Sequence, residues 1–256
     1  MTLKSWKKLS QGFHAKSNGL FDGLIMVMDS LAVRTRAPFK DEVPKRKDYR
    51  FRKGDFAIIA LARCDADARF ISVTANHSGS TNDIIAWNNS NLCKAVEHDR
   101  CLPEKYFFIG DEAFTNTNQC LSPWPGRGLD RYKDSFNYWL SHSHQIVEQA
   151  FGMLTQRWGI FWRIFTFSFH HWSLVVMACM KLHNLCIDPN VAVPLQRFVE
   201  DHRDGDEWMV LDNAQDDDVF LRGRASGDRR RLITNKLETL GVVCPIHAEC
   251  NSQTSV

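Results

Sequence analysis

No apolar run in this chain is long enough to cross a membrane, because its longest apolar stretches are broken by Arg, Asp or His. The opening Met1-Thr2-Leu3-Lys4 is followed by no apolar block, so no signal peptide is read there. The eight cysteines (64, 93, 101, 120, 179, 186, 244 and 250) include no C-x-x-C pair, and no Cys/His ladder has zinc-ligand spacing. They read as reduced thiols, mostly filling a core. Charge of neither sign dominates: the net is +2, so any footprint for nucleic acid has to be local. There are no internal repeats and no low-complexity tracts. Neither a G-x-S-x-G elbow nor a phosphate-binding glycine loop occurs, which leaves an unrelated hydrolase without a nucleophile motif. What is present is an ordinary apolar share, with eight Trp and seventeen Phe, in 256 residues: one large domain, or one domain with an appendage.

The stretch that organises the rest is Tyr106-Phe107-Phe108-Ile109-Gly110-Asp111-Glu112-Ala113-Phe114. A short aromatic and β-branched run ending at a glycine reads as a strand buried on both faces, and ligands sit beyond the carboxyl ends of such strands. Asp111 stands at that end. Either it caps the next turn, or it meets a cation, since a buried carboxylate needs a positive partner. Leu24-Ile25-Met26-Val27-Met28 repeats the pattern and is expected to end at Asp29. Asp22, at the start of that strand, is expected on the far side of the sheet from Asp29.

Trp6, Leu9 and Phe13 lie at helical spacing before Ser17-Asn18-Gly19, so residues 1–21 read as a remnant of an N-terminal helical region. Lys45, Arg46, Lys47, Arg50, Arg52 and Lys53, interleaved with Tyr49 and Phe51, form a basic loop. It is a solvated loop, a nuclear localisation patch or a phosphate-contacting arm. Strands are expected over 56–64 and 69–76, joined by a hairpin turn at Asp65-Ala66-Asp67. A single helix is expected from Asp83 through Trp87 toward Val96, opened by Ser80-Thr81-Asn82, with Asp83 favoured there by the helix dipole. Residues 115–135 read as loop, with Arg127, Arg131 and Lys133 near the prolines and glycines and a short strand near 119–122. The strongest helix signal runs over 136–158, where Leu140, Val147, Phe151, Leu154 and Trp158 share one face. Glu148 lies beside that stripe among Ser141, His144, Gly152 and Thr155, either as a boundary acid or as one that a partner surface approaches. A second helix is expected over 171–186. Residues 200–218 are too acidic for a core and read as an exposed or wrapping tail. A last helix spans 228–240, capped by Gly241.

Three antiparallel strands, a helix, a parallel strand and a later helix bearing an acid is the layout of an RNase H-like core: a mixed five-stranded sheet flanked by helices, here with a C-terminal helical and acidic extension. The expected division is 1–21, a core over 22–190, and 191–256. In that layout Asp29 and Asp111 leave neighbouring strands and Glu148 comes from the crossing helix. Three acids in one place repel unless a proton or a cation intervenes, and oxygen ligands with open positions suit Mg²⁺ or Mn²⁺. Two such ions activate the attacking oxygen and stabilise the leaving one on a phosphodiester.

The sequence resembles the DDE endonuclease domain of PIF/Harbinger-type transposases and the nucleases derived from them. The matching blocks are Asp29 with the stretch Arg34 to Pro38, Tyr49-Arg50-Phe51-Arg52-Lys53-Gly54, Gly79-Ser80-Thr81-Asn82-Asp83, Gly110-Asp111-Glu112-Ala113-Phe114, Phe136-Asn137, Val147-Glu148-Gln149-Ala150-Phe151-Gly152 and Leu182-His183-Asn184. The resemblance implies that Asp29, Asp111 and Glu148 are the catalytic metal ligands, with Asp83 near them, and that the activity is metal-dependent cleavage and transfer of DNA strands. It implies DNA as substrate, a separate Myb-like DNA-binding partner, possible homo-oligomers and a nuclear location.

Departures from the family pattern fall on the neighbours of the acids, and the N-terminal DNA-binding region of such transposases is expected to have been lost. Asp29 is followed by Ser30 where the family has Gly, His144 and Gln149 stand where Arg is common, and Phe114 replaces Tyr. These departures carry the alternative: a catalytically decayed protein on the same scaffold that acts only by binding DNA or a partner.

Overall fold

Five strands form one mixed sheet in the order β3-β2-β1-β4-β5 in the computed structural model, which describes residues 3–51, 54–97, 102–189 and 228–245. Arg52, Lys53, Cys101, Cys250 and the acidic tract 200–218 lie outside the described residues. The strands are β1 (Leu24–Thr35), β2 (Phe56–Cys64), β3 (Phe70–Ser78), β4 (Phe107–Ile109) and β5 (Cys120–Leu121). The first three are antiparallel, whereas β4 and β5 run parallel to β1. The helices are α1 (Leu3–Lys16), α2 (Asp83–Asn88), α3 (Asn91–Glu97), α4 (Arg131–Arg157), α5 (Trp172–Cys186) and α6 (Asp228–Leu240). This is the RNase H-like arrangement, a mixed sheet with helices on both faces.

Alternation along β1 sends its side chains to two cores. Leu24, Val27 and Val33 join Phe136, Leu140, Val147 and Leu154 of α4 and Trp172 and Val176 of α5. Ile25, Met26 and Met28 join Trp87 of α2, Cys93 and Val96 of α3, and Trp6 of α1. Helix α1 feeds both, since Phe13 lies in the first core.

Three expectations are corrected. Helix α4 begins at Arg131, not at 136, because the Asp130 side chain accepts from the Tyr132 and Lys133 N–H groups and starts it there. The first strand does not end at Asp29. It continues through Asp29↔Ala62 to Thr35↔Phe56, because the hairpin partner β2 goes on supplying hydrogen bonds beyond the point where β4 stops. Nor is the stretch after Asp83 one helix. It breaks at Asn89-Ser90, where the Ser90 hydroxyl accepts from the Cys93 backbone N–H and starts α3 afresh.

The hairpin turn forms as expected, with Asp65 Oδ1 accepting from the N–H groups of Asp67 and Arg69. Leu182-His183-Asn184 clamps this hairpin to α5. His183 Nε2 meets the Ala68 carbonyl at 3.0 Å, and the Asn184 amide both accepts from Phe70 N–H and donates to Phe70 C=O, each at 2.8 Å. An amide paired this way occupies the edge of β3 as another strand would. The opposite side of the sheet is closed by α6. Arg230 donates to the Ser122 and Pro123 carbonyls and lies over Trp124, whose indole N–H donates to Thr234. Arg229 donates to the Lys105 and Glu104 carbonyls and lies over Phe107.

Candidate functional site

Asp29 lies on β1, and Asp111 lies just beyond the end of the neighbouring strand β4. Val27 pairs with Ile109 in the parallel β1–β4 ladder, and each acid lies two residues farther on. Gly110 makes the sharp exit possible, since a Cβ there would meet the Phe114 ring at 2.5 Å. Phe114 can therefore fold back, buried, beneath the loop. Asp111 also caps that turn, Oδ1 accepting from Ala113 N–H at 3.0 Å, so the structural role and the site role coexist. Ser30, in place of a glycine, sits in regular strand. It is not among the described residues with positive φ, and its N–H donates to Asp29 Oδ1 at 2.7 Å.

Helix α4 crosses this face of the sheet and brings two more groups. Nε2 of His144 meets the Met28 carbonyl at 3.1 Å, and Nδ1 meets Glu148 Oε1 at 3.3 Å. A carbonyl can only accept, so Nε2 carries a proton and the ring is oriented by β1.

The electrostatics mark these groups as one cluster. Burial pushes the Asp29 carboxyl up to about 7, with the negative charges of Asp111 and Asp83 adding to the rise and His144 opposing it. Burial works against a charged His144, but the Glu148 hydrogen bond and the charges of Asp29 and Asp111 outweigh it and leave its pKa raised. Glu148, in turn, is lowered by His144. Asp83 opens α2 behind Asn82, whose side chain accepts from Ile85 N–H, and it is near enough to act on Asp29.

The donor chemistry fits a hard divalent cation: carboxylate oxygens, one of them held near neutrality by burial and by like charges that such an ion offsets. The side chains as placed do not form a ready cage. Among the described residues no three His, Cys, Asp or Glu groups are set to hold a metal ion. Glu148 is turned to His144, its hydrogen-bond partner.

The basic candidates divide. Lys45, Arg46, Lys47 and Arg50 are exposed around the 3-10 turn Arg46–Tyr49. This turn is docked on the connection from β3 to α2, with Ser80 N–H donating to the Asp48 carbonyl at 2.8 Å. Gly79 lets the backbones approach, as a Cβ there would meet Tyr49 O at 2.7 Å. The turn thus adjoins the segment that leads into Asp83. Arg127 and Arg131 are exposed at the other end of α4. Arg131 precedes Glu148 by 17 residues, about 26 Å of helix, so the structure does not bring Arg131 to Glu148. Asp22 is also apart, at the start of β1 beside Lys105 and His14.

Sequence reasoning missed the tie between His144 and the Met28 carbonyl, although the i, i+4 spacing to Glu148 was visible. It also missed buried polar groups in the loop that follows Asp111. The Thr115 hydroxyl and the whole Asn116 amide are buried with no hydrogen-bond partner among the described residues, and no periodicity marks them.

A family profile described as DDE superfamily endonuclease matches residues 28–184 and so takes in Asp29, Asp111 and Glu148. The chain is 25% identical to the mouse (Mus musculus) protein named "Putative nuclease HARBI1" over 176 residues, 67% of this chain and 48% of that protein. The human (Homo sapiens) protein of the same name is 23% identical, with the same coverage. The chain therefore matches about half the length of these relatives. No solved structure matches it significantly. Sheet order, acid placement and the profile match over most of the chain agree: the chain belongs to the DDE superfamily endonucleases.

Proposed function

We propose that this chain is a metal-dependent DNA endonuclease and strand transferase of transposase descent, with Asp29, Asp111 and Glu148 as its catalytic acids. The observation that carries this reading is that Asp29 and Asp111 each lie two residues beyond the paired Val27 and Ile109, with Glu148 linked to β1 through His144. Asp29 and Asp111 would hold Mg²⁺ or Mn²⁺ from the sheet and Glu148 from the helix. When bound, two such ions supply an activated oxygen nucleophile and stabilise the leaving oxygen of a phosphodiester. The protein's own part is to bring the carboxylates to one end of a rigid strand pair, to shield Asp29 from water, and to hold the His144 imidazole between β1 and Glu148. Lys45, Arg46, Lys47 and Arg50 would meet DNA phosphates on the Asp83 side. On this reading DNA is the substrate and the nucleus the location, and a separate Myb-like protein is the DNA-binding partner.

A thermal melt with and without millimolar Mn²⁺, on wild type and on Asp111→Asn, tests the reading. An ion at about a hundred times its Kd adds roughly 2.7 kcal/mol of stability. A clear upward shift in wild type, lost in Asp111→Asn, supports the metal site. Cleavage of duplex DNA with a supplied DNA-binding partner then tests the chemistry. The pairing of Glu148 with His144, in place of a three-acid cluster, favours a second reading: a decayed scaffold that binds DNA or a partner without cutting. Absence of any Mn²⁺ shift in folded wild type would favour that second reading.

A further inference from the structure

His144 is tied in two directions, which a helix-surface histidine does not need. It is 7% exposed, whereas the Glu148 side chain is 54% exposed. An exposed i, i+4 pair on a helix contributes only a few tenths of a kcal/mol, because both side chains stay free to rotate. Here the ring is not free. Its Nε2 donates across to the Met28 carbonyl of β1, 116 residues away in sequence, and this leaves Nδ1 pointing at Glu148 Oε1. Met28 is the residue before Asp29, so one imidazole links the acid of α4 to the backbone that carries the acid of β1.

We propose that His144 is the positioning residue for Glu148. Nε2 anchors the ring to β1, and Nδ1 fixes the otherwise exposed carboxylate on the side of the helix that faces Asp29. A long, exposed glutamate side chain samples several rotamers. One held by a buried ring samples fewer, and its carboxylate joins a ligand set at a smaller entropic cost. The inference rests on the reading of Asp29, Asp111 and Glu148 as the acids of one site.

The test uses the full chain, with Mn²⁺ alone as the probe in titration calorimetry, and thermal melts without metal beside it. His144→Gln keeps a donor near the Nε2 position, so the bond to Met28 survives while the hold on Glu148 is lost. The expected result is a rise in the Mn²⁺ Kd of about 10- to 100-fold, the range seen when a group that orients a metal ligand is removed. In the metal-free melts His144→Gln and Glu148→Gln should lower Tm non-additively, the double variant losing no more than the larger single loss. Wild-type Mn²⁺ affinity in His144→Gln, alongside its loss in Glu148→Gln, overturns the proposal. If wild type takes up no Mn²⁺, the reading of the acids as a metal site fails by itself. The metal-free cycle then decides on His144: additive Tm losses overturn the positioning role and non-additive losses support it.

Discussion

Asp29 and Asp111 each stand two residues beyond a directly paired couple, Val27 and Ile109, on parallel neighbouring strands. Both acids therefore come to the same end of the sheet, and residues 82 positions apart share one electrostatic environment. Neutralising one acid should therefore move the other. In Asp111→Asn the Asp29 carboxyl should titrate below about 7, toward its ordinary 3.8, because a charge that raises it is gone. Carboxyl ¹³C chemical shifts followed against pH read this directly. An unchanged Asp29 titration in a folded variant would mean that the two acids are not coupled.

The same shift carries a stability prediction. Asp29 is raised on folding, so the folded chain binds the extra proton between about pH 4 and pH 7. Stability is then highest, as far as this group is concerned, below its unfolded value and falls as pH rises through the folded one. Asp29→Asn removes the dependence. It should stabilise the metal-free chain at pH 8 by at most about 4 kcal/mol, from the separation of the two pKa values, and should flatten the Tm profile between pH 4 and pH 7. A variant whose profile keeps the wild-type slope in that window would contradict the assignment.

Asn184 should be worth more than its polarity suggests. Its amide makes two hydrogen bonds of 2.8 Å to the Phe70 backbone. Asn184→Ala leaves that edge of β3 unpaired where the hairpin meets α5, at a cost of about 2–3 kcal/mol. Urea denaturation checks this. A midpoint change without a change of slope is expected, because the loss is local.

Position decides which basic residues matter for DNA. Lys45, Arg46 and Lys47 adjoin the segment leading to Asp83, whereas Arg131 lies about 26 Å of helix from Glu148. Glutamate substitutions at 45–47 should weaken binding of duplex DNA and make its salt dependence shallower by about 0.9 for each phosphate that is no longer neutralised. Arg131→Glu should change both much less. Equal effects of the two sets in fluorescence anisotropy over a salt series would place the DNA elsewhere.

Much of this architecture was legible because its causes are local. Leu24–Met28 and Tyr106–Ile109 announce buried strands by composition. Leu140, Val147, Phe151 and Leu154 announce a helix by spacing, and Gly110 with Asp111 marks a strand exit. The run of matching blocks pointed to Asp29, Asp111 and Glu148 as candidate acids, with Asp83 and His144 beside them. The local pattern failed where a partner decided the outcome. It stopped the first strand at Asp29, although β2 carries the pairing on to Thr35. It joined α2 to α3, although Ser90 caps a new helix.

Hydrophobic periodicity and turn chemistry are properties of neighbours along the chain, so the succession of strands and helices and the residue types available at the site follow from the amino-acid order alone. Which groups meet was settled between elements distant along the chain. Their packing brought Asp29 and Asp111 to the same end of the sheet, aimed His144 at the Met28 carbonyl, left Arg131 far from Glu148, and laid the arginines of α6 over the β4–β5 side of the sheet. The physical reason is that register, desolvation and hydrogen bonding between distant elements depend on what lies across a gap in space, and no window along the sequence contains both sides of that gap.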